Sequence, residues 1–444
     1  MTNKELVILQ GALEKLQTHF KHLISSPDTD LDKVAGTLDQ VVDRLSDNYP
    51  YFDTDYAGQM LKPPHTIARL AYSLALYINP NNHALDGGRA SSVMEKEAVA
   101  QIADMFGWRE HLGHLTGGGT MANMEALWVG RKIHPTKCVV ASEMAHYTHE
   151  RISEVLGLKF EKVGCDLNGR MDMKALEGIL NTTQVGTVVV TLGTTGSGSV
   201  DPLIEVLELQ KIYKFRIHVD AAYGGYFKLA HNLSMYTQAQ YETIHLADSL
   251  VIDPHKHGLQ PYGCGCILFK DPQVGQYYKH DSPYTYFSSA ELHLGEISLE
   301  CSRAGAAAVA LWATMQMFPL KKRGEFAQGI SRCHEAAMKL NGLIREDDEF
   351  ITVLEPELDI VVWAPNGESF SLISEASNKI FEMTAKQGLH LALIKYPVHL
   401  LPAHWDGIVK DQAYVTCLRS CLMKHNHLEK VEKIWKGIKS AYQH

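Results

Sequence analysis

No stretch of this 444-residue sequence reaches the run of about 18 apolar residues that a bilayer-spanning helix requires, and no membrane role is read from it. Positive charge is also in short supply. The 42 Lys plus Arg against 51 Asp plus Glu give a formal net charge of −9, which offers nucleic acid or an anionic membrane nothing to steer by. Any phosphate on a ligand must therefore be held locally. Cysteine is sparse and scattered, at positions 138, 165, 264, 266, 301, 333, 417 and 421, which excludes a dense disulfide scaffold and points to a reducing, cytoplasmic location. Neither Cys264-Gly-Cys266 nor Cys417-Leu-Arg-Ser-Cys421 has the two-residue gap of the usual thiol motifs, so both read as buried free thiols, and no metal site is expected. Low-complexity tracts and internal repeats are absent, and residues 1–23 mix Glu and Lys among their apolar residues rather than forming a secretory signal. With 45% hydrophobic and 21% charged residues, the chain can bury a large core, which excludes intrinsic disorder.

Apolar residues recur at helical spacing from about residue 3 to 46 (Leu6, Leu9, Leu13, Leu16, Phe20, Leu23), which predicts an N-terminal helical arm suited to packing on a partner subunit. Residues 47–92 are rich in Pro, Asn and Gly and read as ordered loop around a helix at 67–76. From 93 to about 270, helices at 93–106, 122–132 and 203–214 alternate with apolar runs at 138–141, 187–192, 217–219, 249–252 and 264–269. That alternation predicts an α/β fold with a mainly parallel central sheet and helices on both faces. Beyond an Ala-rich helix at 304–318, the pattern predicts a small α+β domain with an antiparallel sheet. The expected division is an arm at 1–60, a large domain at 61–320 and a small domain at 321–444.

In a parallel sheet, ligands bind at the loops leaving the strand ends. Five such loops each offer a different polar group. Leu115-Thr116-Gly117-Gly118-Gly119-Thr120, entering a helix, can cradle a phosphate on free N–H groups. Ser142-Glu143-Met144-Ala145-His146 ends a strand with an imidazole that can stack on a flat ligand. Thr191-Leu192-Gly193-Thr194-Thr195 supplies hydroxyls, and His218-Val219-Asp220-Ala221-Ala222 delivers a single carboxylate that should face a cation. Asp253-Pro254-His255-Lys256-His257 places a lysine between two histidines, where burial and cationic neighbours favour the neutral amine that attacks carbonyls. Taken singly, each also fits a plain turn, a capping histidine, a structural ion pair or a snorkelling lysine. Together they form the set that pyridoxal 5'-phosphate requires: an anion hole, a stacking partner, a carboxylate for the ring nitrogen and a lysine for the aldehyde.

The motifs LTGGGT, SEMAH, LGTT, HVDAAYGG and DPHKHG, in this order, resemble those of the group II pyridoxal-phosphate-dependent amino-acid decarboxylases, and especially the shorter prokaryotic tyrosine/aspartate decarboxylase-like members. The resemblance implies fold type I, the aspartate aminotransferase-like architecture, in a homodimer with active sites at the interface. It implies decarboxylation of an L-amino acid to the amine and carbon dioxide through a Lys256 Schiff base and a quinonoid intermediate. Position by position, Asp220 would pair with the ring nitrogen, His146 would stack on the ring and Ala222 would pack under its other face. Gly118, Gly119 and Thr120 would hold the phosphate with help from His255, and Thr194 would lie near the ring edge. Tyr286 or Tyr284 would return the proton to the carbanion. Asn79, Arg303 and Arg419 are candidates for substrate recognition. Two positions depart from the family: Met121 where an acidic residue is common, and His257 where an aromatic is common. A carbon–carbon lyase or aminotransferase keeps the cofactor and changes the bond broken, and a non-catalytic cofactor-holding partner protein is the reading from another class.

Overall fold

The computed structural model describes residues 2–20, 23, 29–83, 85–279 and 298–443. Its larger sheet has seven strands, β1 (Leu112–Thr116), β2 (Cys138–Ser142), β3 (Phe160–Val163), β4 (Val185–Thr191), β5 (Arg216–Asp220), β6 (Ser249–Ile252) and β7 (Gly265–Phe269), in the order β1-β7-β6-β5-β4-β2-β3. The four pairings among β2 to β6 are parallel, and β7 runs antiparallel between β6 and β1. Strands buried on both faces need apolar side chains at every position rather than at alternate ones, which is why β4 (VGTVVVT) reads as an unbroken run and is buried throughout. Helices Gly119–Ile133, Leu203–Tyr213 and Arg89–Met105 cover the sheet, and helix Gly305–Met317 packs against Arg89–Met105 and Thr66–Leu76.

A second sheet, wholly antiparallel, carries β8 (Phe350–Thr352), β9 (Ile360–Pro365), β10 (Ala392–Pro397) and β11 (Tyr414–Cys421) in the order β10-β11-β9-β8. Helices Glu325–Arg345 and Val431–Tyr442 close one face of it through Ala336, Leu340, Ile344, Ile434 and Ile438 against Trp363 and Leu418. The segment around Ala57 belongs to this layer rather than to a free arm. Ala57 N–H donates to the His390 carbonyl at 2.8 Å, and the Ala57 carbonyl accepts from Cys421 N–H at 2.8 Å. By contrast, helix Leu31–Leu45 buries none of its residues, and Leu38, Val41 and Leu45 along it are exposed.

The strands missing from the sequence expectation are β1, β3 and β10. β1 and β3 are edge strands of four or five residues, and β3 (FEKV) keeps polar residues because one side meets solvent. All eight cysteines are free, and both close pairs are buried. No helix among the described residues is long and apolar enough to cross a membrane.

Candidate active site

Four parallel strands and β1, which points the same way because two antiparallel steps restore its direction, end on one side of the sheet. Their following loops enclose a cavity of about 250 Å³. Gly118, Gly119, Thr120, His146, Asp220, Ala222, His255 and Lys256, singled out from four separate stretches of sequence, all line it.

Asp220 is the last residue of β5. The two-residue pleat puts it on the same face as His218, while Ile217 and Val219 enter the opposite, apolar core. Its carboxylate is 5% exposed and carries three contacts: His149 Nε2 at 2.8 Å, Asn123 Nδ2 donating at 3.3 Å and Ala222 N–H donating at 3.1 Å. Burial alone would raise this carboxyl. The hydrogen bond and charge of His149, then Lys256 and the Ala222 N–H, overcome it and hold Asp220 well below the usual carboxylate range. A fixed negative charge results.

Behind it, burial pushes His218 down to about 3, so the ring is neutral. Its Nε2 lies 2.7 Å from Asn123 Oδ1 and its Nδ1 lies 2.9 Å from Ser249 Oγ. An amide oxygen only accepts, so His218 Nε2 donates and the Asn123 NH₂ is left facing Asp220. His149 and Asn123 were not singled out from the sequence. His149 had a signal, a second histidine three residues after His146, but Asn123 had none.

Lys256 follows β6, 20% exposed at its side chain, with Nζ 3.3 Å from Asp253 Oδ2. The flanking histidines do not act as the cations expected from the sequence. Burial lowers both, His255 hydrogen-bonds the Cys264 carbonyl through Nδ1 at 2.8 Å, and His257 Nε2 lies 3.2 Å from Asp359 Oδ2. Asp253 is buried, and burial raises its carboxyl against the opposing pull of Lys256 and His255. The lysine thus faces a carboxylate rather than a cationic pair.

Gly118, at φ +151°, turns the chain into helix Gly119–Ile133, whose N-cap has no side-chain hydrogen bond. A Cβ on Gly119 would lie 2.6 Å from Asp253 Oδ2, so only glycine lets the helix N-terminus approach the Lys256 loop. Uncapped N–H groups of a 15-residue helix, opening on a cavity beside the Thr120 side chain, form an anion cradle. His146, lowered by burial, lines the same cavity, as do Thr191, whose buried Oγ1 has no partner among the described residues, and Thr195.

The carboxylate, the lysine and the uncapped helix N-terminus in one cavity fit a flat, phosphorylated aldehyde with a protonated ring nitrogen. The sequence pattern described as the pyridoxal-dependent decarboxylase conserved domain matches residues 53–364, more than half of the chain. The chain belongs to this decarboxylase family. It is a pyridoxal 5'-phosphate-dependent amino-acid decarboxylase, a carboxy-lyase. Among its relatives, L-tyrosine decarboxylase of Levilactobacillus brevis is 27% identical over 92% of this chain and 84% of its own length. L-tyrosine decarboxylase of Enterococcus faecium is 27% identical over 80% and 76%. A probable L-tyrosine/L-aspartate decarboxylase of Methanothermobacter thermautotrophicus is 27% identical over 69% and 82%. The decarboxylase fold is also that of mouse CSAD, with a TM-score of 0.80 at 18% identity over 96% of this chain and 92% of the other. Oryza sativa TDC, with PLP and tryptamine, has a TM-score of 0.78 at 16% identity over 100% and 98%.

Other candidate residues of the decarboxylase lie elsewhere. Thr194 does not line the cavity: its hydroxyl lies 3.0 Å from Ser197 Oγ and accepts from Ser199 N–H at 3.1 Å, which leaves Thr191 and Thr195 on the cavity side. Arg303 is consumed by structure, donating to buried Glu95 at 2.6 Å and to the carbonyls of Leu115 and Asn82. Asn79, exposed at φ +52°, ends helix Thr66–Leu76 by donating its N–H to the Ala75 carbonyl. Arg419, 6% exposed, donates to the Thr195 carbonyl and to Gln59 Oε1, both at 2.8 Å, which ties β11 to a cavity-lining loop without placing its guanidinium in the cavity. Tyr284 and Tyr286 lie outside the described residues.

Proposed function

We propose that Lys256 is the residue that carries the cofactor and that Asp220 is the partner of its ring nitrogen. The observation that carries this reading is the convergence of Lys256, a carboxylate held ionised by His149, and an uncapped helix N-terminus on one cavity. The chemistry supplied by the bound cofactor is an aldehyde that takes amines and a cationic ring that accepts the electron pair left by departing carbon dioxide. Asp220 keeps the proton on the ring nitrogen, because a buried carboxylate beside it favours the charged form. His146 and Ala222, which line the same cavity, would hold the cofactor's ring between them. The N-terminal N–H groups of Gly119 and Thr120, with Gly118 and His255 beside them, bind the phosphate. In place of Thr194, the cavity-lining Thr191 and Thr195 would lie beside the cofactor. The Lys256 amine lies within reach of Asp253, whose raised carboxyl could hold or return a proton at Oδ2.

The proposed substrate is an L-amino acid, with tyrosine and aspartate first in line because relatives carry those names. The working unit is a cytoplasmic homodimer. What supports the dimer is helix Leu31–Leu45, whose apolar residues have no cover among the described residues. The chain divides into an arm, a large cofactor-binding unit and a small C-terminal unit, with the segment near Ala57 joined to the small one.

The test is release of amine and carbon dioxide by cofactor-loaded protein across a panel of L-amino acids, with Lys256→Ala as control. Stoichiometric amine and carbon dioxide from one substrate, absent in the control, is the expected result. Equal turnover by Lys256→Ala overturns the assignment of the lysine. An aldehyde or keto acid in place of the amine would mark the lyase or aminotransferase reaction instead.

A further inference from the structure

A second cavity, of about 600 Å³, lies on the far side of the Lys256 loop, with His257 in its wall. Its lining comes from Lys62 to Thr66, from Phe318 and the start of helix Glu325–Arg345, and from Lys424 to Asn426. Four basic side chains line it, Lys62, Arg69, Arg332 and Lys424, against one carboxylate among the described residues, Glu325. In a chain of net charge −9 this is a local inversion of sign.

The two arginines have acidic neighbours outside the cavity, Glu5 for Arg69 and Glu429 for Arg332. The lysines do not. Lys62 Nζ donates to the Met423 carbonyl at 3.3 Å and Lys424 Nζ donates to the Tyr56 carbonyl at 2.6 Å, and neither has a carboxylate within ion-pair distance among the described residues. An ammonium carries three donors, so each lysine keeps two unused. Burial lowers both amines, and Lys424, which also feels the charge of Lys62, is brought to about 8. Partly buried cations close enough to oppose each other gain from an anion between them. The remaining wall is apolar and aromatic, from Pro63, Pro64, Leu259, Phe318 and Phe326, with the Phe318 ring edge-on to His65 at 4.8 Å.

We propose that this cavity binds a small organic carboxylate, its head between Lys62 and Lys424 and its apolar body against Phe318, Phe326 and the two prolines. A polar anchor at one end and an aromatic trough at the other is the usual make-up of a small-molecule site, and the volume falls in the range of such sites. It is separate from the cavity assigned to the cofactor and shares no lining residue with it.

The probe is 2-naphthoate, titrated calorimetrically into the cofactor-loaded protein so that the first cavity is already filled. Binding is read as heat, and so is independent of whether the chain turns over an amino acid. One saturable site per chain is expected, with 2-naphthol (the body without the charge) and inorganic phosphate (charge without the body) each at least about 10-fold weaker. Lys62→Met and Lys424→Met should each weaken 2-naphthoate at least about 10-fold. No saturable heat, equal affinity for 2-naphthol, or full affinity in both variants overturns the proposal. Should the lysine variants fail to fold, the wild-type protein decides. Raising ionic strength from about 20 to about 300 mM must weaken 2-naphthoate several-fold and leave 2-naphthol unchanged, and an identical response of the two overturns it.

Discussion

His149→Leu isolates the contact that the cofactor site depends on most. The substitution puts an apolar side chain of similar bulk in a fully buried position and removes the 2.8 Å partner of Asp220. What remains around the carboxylate is the Asn123 amide at 3.3 Å, one backbone N–H and the more distant charge of Lys256, in a site 5% exposed. Deleting one partner of a buried pair destabilises by about 3–5 kcal/mol, because the other charge is stranded. For a chain of this length, with an unfolding entropy near 2 cal/mol/K per residue, that corresponds to a drop in Tm of roughly 3–5 °C. The pH dependence separates this cause from lost packing. In the wild type the Asp220 carboxyl is lowered, so its stabilisation is present above the unfolded value near 4 and is lost only as pH falls through the still lower folded value. In the variant, burial without His149 raises the same carboxyl, so the variant gains a proton in the folded state at a pH where the wild type does not. The gap between the two proteins should therefore be widest at neutral pH and narrow by about 1.4 kcal/mol per pH unit below the variant's raised value. Melting of the cofactor-free proteins between pH 8 and pH 4 measures it. A gap that stays constant across that range would refute the electrostatic account and leave only packing.

Asp220→Ala should lower kcat by about 10²-fold or more with little change in cofactor retention, since the group lost is the one that keeps the ring nitrogen protonated; steady-state amine release checks it. Gly119→Ala should act in the opposite sense, because its Cβ would meet Asp253 Oδ2 at 2.6 Å and must push the helix N-terminus or the Lys256 loop. A fall of about 10-fold in cofactor affinity, read from cofactor absorbance after dialysis, is expected with the fold intact. Arg303→Met should lower Tm by stranding Glu95, a loss of about 3–5 kcal/mol, while the KM of the protein that remains folded stays within about 2-fold of wild type. A KM rise with an unchanged Tm would instead make Arg303 a substrate residue.

What could be read from the sequence was whatever one strand and its following loop determine by themselves. The runs LTGGGT, HVDAAY and DPHKHG each pair a strand end with the polar group it delivers, so Gly119, Asp220 and Lys256 needed no knowledge of their neighbours. The residues that set the state of Asp220 are different in kind. His149 and Asn123 lie 71 and 97 positions from it; the parallel pairing of β2, β4 and β5 brings in the first, and the packing of helix Gly119–Ile133 on the sheet brings in the second. The arginines show the same limit: a guanidinium suggests a carboxylate, but whether it is a substrate or Glu95, 208 residues away, depends on packing. Thr194 and Thr195 differ by one position, and a single step of backbone decides which side chain faces the cavity and which closes the turn.

Asp359 gives the assembly an order in time. It belongs to the segment leading into β9, is fully buried, and accepts from Tyr223 OH at 2.5 Å while lying 3.2 Å from His257 Nε2. Tyr223 and His257 stand beside Ala222 and Lys256, so the loops at the ends of β5 and β6 are held by a residue made more than a hundred positions after them. A chain growing from its N-terminus has every proposed cofactor contact in hand once Lys256 has emerged, but the carboxylate that secures two of those loops is still to come. Capture of the cofactor should therefore trail synthesis of the large sheet and wait for the antiparallel layer to dock.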